Sequence, residues 1–197
     1  QNFSQVTNPP IDSLRENEVM SLKTRFGNLR NILDFENVPI DNIYVLDSPI
    51  LSNSQFKKFT VFFKNNLRVL DCTFNVQNNL KERLDQLSFE AEIAVREGCK
   101  HLILSDKQLS EKKAAVPMIL AFGAINSKLV NLGIRGFVSI NVQTGEVLDT
   151  HSFAVLLGVG ATTINPYLVF DSIYQRYDKK LFGKFSYEEC IQRYIKS

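Results

Sequence analysis

Residues Ala114–Asp171, AAVPMILAFGAINSKLVNLGIRGFVSINVQTGEVLDTHSFAVLLGVGATTINPYLVFD, alternate helical and strand patterns between sharp Gly and Pro breaks. Pro117 suits a first helical turn, where its missing N–H needs no partner, and the helix runs to Gly133. Phe137–Val142 reads as a strand, Thr144-Gly145 as a turn and Phe153–Leu157 as a helix. Thr162–Asn165 is then a short strand and Tyr167–Tyr177 a further helix.

Upstream the same alternation continues. Ile43–Leu46 reads as a strand, after which Ser52 caps a helix with Gln55 reaching back from its third position. Phe56, Phe59 and Phe63 lie on one face of that helix at core spacing. Leu67–Phe74 is the next strand. A helix from about Asn79 carries Leu80, Leu84, Leu87, Ala91 and Ala94 on one stripe and stops at Gly98, and His101–Leu104 is an apolar strand. Nearer the start, Asp12 or Ser13 caps a helix bearing Leu14, Val19, Leu22 and Phe26, with Gly27 beyond its end. Five strands separated by helices define an α/β fold with a mostly parallel sheet, compatible with either an incomplete or degenerate β/α barrel or an open doubly wound sheet. Residues 1–10 form an extended strap ending in Asn8-Pro9-Pro10, residues 11–177 the α/β body, and residues 178–197 a tail with an amphipathic helix over Ser186–Ile195.

The composition is that of an ordinary globular protein. A formal net charge of +2, with Lys57-Lys58, Lys112-Lys113 and Lys179-Lys180 far apart, gives no footprint for nucleic acid or anionic lipid. No apolar run reaches the roughly 20 residues of a membrane span, and QNFSQVTNPP lacks the regions of a signal peptide, so a cytoplasmic location is expected. A start without Met, in an extended Pro-rich phrase, suggests a piece of a longer polypeptide.

Chemistry-bearing residues are sparse. Cys72, Cys99 and Cys190 stand at wide spacings without a CxxC, and His101 and His151 have no neighbours at metal-ligand spacing. Gly158-Val159-Gly160 begins like a dinucleotide fingerprint, but Thr163 stands where the third glycine belongs and the strand-glycine-helix order is inverted. Ser105, Asp106, Lys107 and Asn165 fall at the carboxyl ends of expected strands, where β/α proteins place their sites.

Taken in order, QVTNPPIDSLRE (Gln5–Glu16), VMSL (Val19–Leu22), SPILSN (Ser48–Asn53), ILSDK (Ile103–Lys107), TGE (Thr144–Glu146) and GVGATTINPYLVF (Gly158–Phe170) resemble the central domain of the glutamate synthase large subunit. The resemblance implies a parent chain that hydrolyses glutamine at an N-terminal cysteine, passes ammonia through an internal tunnel and makes glutamate from 2-oxoglutarate with FMN beside an iron-sulfur cluster. It implies a non-catalytic domain, without cofactor of its own, between amidotransferase and FMN-binding domains of the same polypeptide, with a small NADPH-oxidising subunit as a possible further partner. Gln5, Thr7, Asn8, Ser105, Asp106, Lys107, His151 and Asn165 become the candidate tunnel or interdomain contacts. Departures are visible too: Asn126-Ser127-Lys128 stand where the family carries consecutive histidines, Ser152 replaces the second of a later pair, and Lys107 replaces an arginine. The competing readings are a stand-alone flavin- or phosphate-binding β/α fragment and a protein-interaction module.

Overall fold

The computed structural model describes residues 22–26 and 44–196, and the chain divides into a unit ending at Pro49 and one beginning at Ile50. The expected strap over residues 1–10 lies outside the described residues. In the first unit, β1 (Thr24–Phe26) pairs antiparallel with β2 (Tyr44–Leu46), Thr24 opposite Leu46 and Phe26 opposite Tyr44. The helix expected from Asp12 or Ser13 lies outside the described residues as far as residue 21, and its last part is this strand. Leu22 is 70% exposed, so it is on no buried helical stripe, and a partner strand decides Thr24–Phe26 against the local spacing.

The second unit opens with α1 (Asn53–Phe62), and its cap is as the sequence suggests. Ser52 Oγ accepts the Gln55 N–H at 3.3 Å while the Ser52 N–H donates to Gln55 Oε1 at 2.9 Å. There follow β3 (Leu67–Asp71), β4 (Thr73–Asn75), α2 (Leu80–Arg96), β5 (His101–Ser105) and β6 (Lys113–Ala115). The rest is α3 (Met118–Asn131), β7 (Ser139–Gln143), α4 (Thr150–Gly158), β8 (Thr163–Asn165), α5 (Tyr167–Asp178) and α6 (Tyr187–Lys196).

β3, β5, β7 and β8 form a four-stranded parallel sheet in that order. Each new strand is added on the same side, which is the order of a β/α barrel; a doubly wound sheet reverses at a switch point. Among the described residues the sheet is not closed. β2 belongs to the first unit rather than to this series, and beside β8 stands a single parallel bridge from Ile50 to Ile164, with the Leu51 N–H donating to the Ile164 carbonyl at 2.8 Å. The expected strand Leu67–Phe74 is interrupted at Cys72, whose N–H donates to the Ser105 carbonyl while its own carbonyl accepts the Val116 N–H. Beyond it β4 leaves the sheet and pairs antiparallel with β6.

The two faces of the sheet differ in chemistry. Leu70, Leu104, Val142 and Ile164 are mutual neighbours across the strands and form one fully apolar row. They pack with Leu87, Ala91 and Ala94 of α2, Phe122, Ile125 and Leu129 of α3, and Phe153 and Leu156 of α4 in one core. Each fully buried leucine there stabilises the fold by about 1.5–3 kcal/mol. α2 ends where Gly98 takes φ +90°, a conformation open to glycine at little cost, so that the Cys99 N–H reaches the Ala94 carbonyl.

The opposite face mixes the apolar Val69 and Ile103 with polar side chains. Asn141 neighbours Thr163, and Ser105, Gln143 and Asn165 run across three strands in register. At its amino end His101 packs on Phe63 with ring centroids 4.0 Å apart and on Phe59 at 5.7 Å, so the aromatic stripe of α1 covers this end.

Candidate functional site at the carboxyl edge of the sheet

Four phrases scattered over more than a hundred residues meet at the carboxyl edge. Ser105 Oγ donates to Gln143 Oε1 at 2.9 Å, and Gln143 Nε2 donates to Asn165 Oδ1 at 3.1 Å. Asn165 Nδ2 then donates to the Leu51 carbonyl at 2.9 Å and to Asn53 Oδ1 at 3.0 Å, and Asn53 Nδ2 continues to Asp171 at 3.0 Å. The chain of amides thus ties β5, β7 and β8 to the start of α1 and to α5. An amide supplies both donor and acceptor, which is what lets such a chain continue inside the fold.

Asp106 anchors a second branch. Its carboxylate, only 1% exposed, accepts the Thr144 hydroxyl at 2.5 Å and the Gly145 N–H at 3.1 Å. The Tyr167 phenol lies against it, and burial first, then the Asp106 charge and hydrogen bond, push that phenol above its ordinary range. Glu146, the last residue of the same turn, accepts the Met118 N–H at 2.9 Å, so a carboxylate caps the positive end of α3. The turn is tight: a Cβ on Gly145 would stand 2.5 Å from Leu168 Cδ1 and 3.3 Å from the Tyr167 hydroxyl. Lys107 keeps its N–H on Ser105 Oγ and holds its ammonium over the Tyr167 ring, 5.6 Å from the centroid.

Ser105, Asp106, Lys107 and Asn165 are therefore brought together. His151 does not join them; it is exposed in the first turn of α4, capped by Asp149. The Ser152 N–H and hydroxyl hold the Asp149 carboxyl below the usual range. Gln5, Thr7 and Asn8 lie outside the described residues. Gln143 and Asn141 belong to no motif, although Ser139, Asn141 and Gln143 alternate at the period of a strand with one polar face; Asn53 and Thr163 lie within the phrases SPILSN and GVGATTINPYLVF.

Among the described residues every buried side-chain nitrogen and oxygen has a hydrogen-bond partner. Ser105 donates to an amide rather than to a base, and His101 sits at the other end of the same strand, about 13 Å away at strand rise. Its ring is held by Ser139 Oγ at 2.8 Å, and burial, with a smaller contribution from Lys100, depresses its pKa to about 4. The chemistry of this edge is fastening: it locks strand ends to helix starts.

The cofactors that the resemblance implies for the parent find no matching donor set in these residues. Phosphate-binding glycines precede a helix N-terminus, whereas Gly158 is the last residue of α4 and Gly160 lies just beyond it, its carbonyl accepting from Arg135 Nη2 at 3.0 Å. Cys72, Cys99 and Cys190 are free thiols on separate segments, and burial pushes Cys72 up to about 12. Among the described residues no three His, Cys, Asp or Glu side chains group as metal ligands. No helix among them is long and apolar enough to cross a membrane.

An α/β domain with a parallel sheet whose carboxyl edge is tied by a hydrogen-bonded polar chain defines the class. The whole chain, residues 1–197, matches the family described as glutamate synthase central domain, and the chain belongs to that family. It is 46% identical over 200 residues to the NADPH glutamate synthase large chain of Azospirillum brasilense, and 37% identical over 197 residues to that of Bacillus subtilis (strain 168). Both comparisons cover 100% of this chain and 13% of the relative. The chloroplastic ferredoxin-dependent glutamate synthase of Oryza sativa subsp. japonica is 39% identical over 181 residues, covering 89% of this chain and 11% of that relative. The chain thus spans about an eighth of the length of the curated relatives it matches.

Proposed function

We propose that this domain is a non-catalytic scaffold within a glutamate synthase large chain, joining the glutamine amidotransferase and FMN-binding domains and walling part of the ammonia path between them. The parent makes glutamate from glutamine and 2-oxoglutarate in the cytoplasm, with FMN and an iron-sulfur cluster held by its other domains and a small NADPH-oxidising subunit as a possible partner. Ser105, Asp106, Lys107, His151 and Asn165, with Gln5, Thr7 and Asn8, are the proposed tunnel or interdomain contacts. One observation carries this reading: at the edge where a β/α protein usually keeps its site, the Ser105–Gln143–Asn165–Asn53 chain and the Asp106–Thr144 bond tie strand ends to helix starts and hold these residues in fixed positions. Rigid placement suits a domain that keeps two active sites in register and excludes water from a reactive intermediate. FMN titration of the folded chain tests it. A flat fluorescence response at micromolar flavin is expected, and a saturable one would replace the scaffold by a flavin-binding fragment.

A further inference from the structure

α3 and α4 pack side by side on the apolar face of the sheet. Arg135 bridges them, donating from Nε to Asn126 Oδ1 of α3 at 2.7 Å and from Nη2 to the Gly160 carbonyl just beyond α4. Their outward surface is unlike the rest of the helical layer. Among the fourteen residues of α3 and the nine of α4, Lys128 is the only Lys, Arg, Asp or Glu, and it turns aside to Glu92 of α2 at 3.2 Å. α2 carries seven such residues in seventeen and α5 three in twelve. Ile119, Leu120 and Val130 of α3, Val155 of α4 and Val159 at its end are nevertheless 37–54% exposed. Apolar surface without charge on two neighbouring helices marks a contact rather than a solvent face.

Gly123 is a second sign of contact. It shares one side of α3 with Ile119, one turn before it, and Val130, two turns beyond. A Cβ at Gly123 would meet nothing within 4 Å, so packing inside this chain does not ask for glycine. Glycine in a helix interior is also less favourable than alanine. What excludes a side chain from such a place is the close approach of another backbone. The gap fits a protein segment lying across α3 between Ile119 and Val130.

We propose that the outer face of α3 and α4 seats an apolar, uncharged segment from another domain of the same polypeptide. This rests on the scaffold reading, since it needs neighbouring domains. A charged segment would lose hydration here and find no counter-charge. The relatives match this chain across its whole length while it covers 13% of theirs, so most of such a polypeptide lies outside these residues. A tethered segment meets the face at an effective concentration on the order of millimolar, which a second copy in solution does not reach.

Photo-cross-linking of the full-length parent tests the seat, with p-benzoylphenylalanine in place of Leu120 and the products read by mass spectrometry. Links at monomer mass from position 120 to apolar residues outside residues 1–197 are expected. Val130→Glu and Val130→Lys should each lower their yield about tenfold or more, because either charge is stripped of water when the face is covered. Phe89→Glu should leave the yield unchanged, since Phe89 is 60% exposed on the charged outer side of α2. Links between two copies, links confined to residues 1–197, no links, a yield indifferent to charge at position 130, or an equal loss in Phe89→Glu would each overturn the proposal. Absent links beside a flat flavin titration would remove this seat alone; a saturable titration would remove the scaffold role itself.

Discussion

Thr144 gives its hydroxyl hydrogen to the Asp106 carboxylate at 2.5 Å, and each residue stands one place beyond its own strand, β7 and β5. Neighbouring parallel strands are thereby fastened at the point where their ladder ends. Asp106→Ala strands the Thr144 hydroxyl, the Gly145 N–H and the Tyr167 phenol inside the fold. Hydrogen bonds to a buried charge contribute more than neutral ones, so a loss of about 3 kcal/mol is expected in urea unfolding of the chain. Overlaid melting curves would mean that the carboxylate is not where stability is held.

The stripe of α2 makes a sharper prediction. Leu87 is fully buried, whereas Leu84 is half-buried against the same core. Leu87→Ala should cost about 3–5 kcal/mol and Leu84→Ala about 1–2 kcal/mol, because only the first leaves a closed cavity. The opposite ranking in denaturant melts would turn the helix onto the wrong face.

His101 should make stability depend on pH in a defined window. Its pKa falls from 6.5 to about 4 on folding because burial disfavours the imidazolium, so the unfolded chain binds the extra proton between those values. Its contribution is complete above pH 6.5 and is lost as the pH falls towards 4. The loss is on the order of 2 kcal/mol. His101→Phe, which keeps the packing on Phe59 and Phe63, should flatten that part of the stability profile relative to wild type. Parallel profiles would show that the ring is already protonated in the fold.

Local signals were legible where the physics is local. Ser52 with Gln55, the leucine stripe of α2 and Gly98 each act within a turn or two, and each stands where the spacing puts it. Pairings over distance were not. Nothing at Cys72 announces that the chain leaves the sheet, because the cause is the Val116 N–H some forty residues on. Thr24–Phe26 is strand for the same kind of reason, its partner being Tyr44–Leu46. At the site, ILSDK and TGE marked Asp106 and Thr144 as residues of interest, but their bond depends on a register between β5 and β7 that neither phrase contains. A glutamine at a strand end has no motif, so Gln143 is legible only through its alternation with Ser139 and Asn141.

The remaining prediction concerns His151, the histidine most easily taken for a catalytic group. The ring is exposed in the first turn of α4, and the neighbouring Ser152 gives its N–H and hydroxyl to Asp149, at 2.8 Å and 2.7 Å, in a helix cap. A serine so engaged completes the cap and relays no proton to the ring. The other described histidine, His101, is fixed on Ser139 at the amino end of the sheet, and Cys72 is a buried thiol well above neutrality, so neither forms a nucleophile–base pair with His151. If the domain's work is geometric, a polar side chain of similar reach should serve in its place. His151→Gln in the full-length parent is therefore expected to leave ammonia-dependent glutamate formation within several-fold of wild type, any defect appearing as more glutamine hydrolysed per glutamate made. General acid–base groups supply roughly 100- to 10,000-fold. A loss of that size in the ammonia-dependent rate of a folded variant would place the imidazole in the chemistry and end the scaffold reading for this residue.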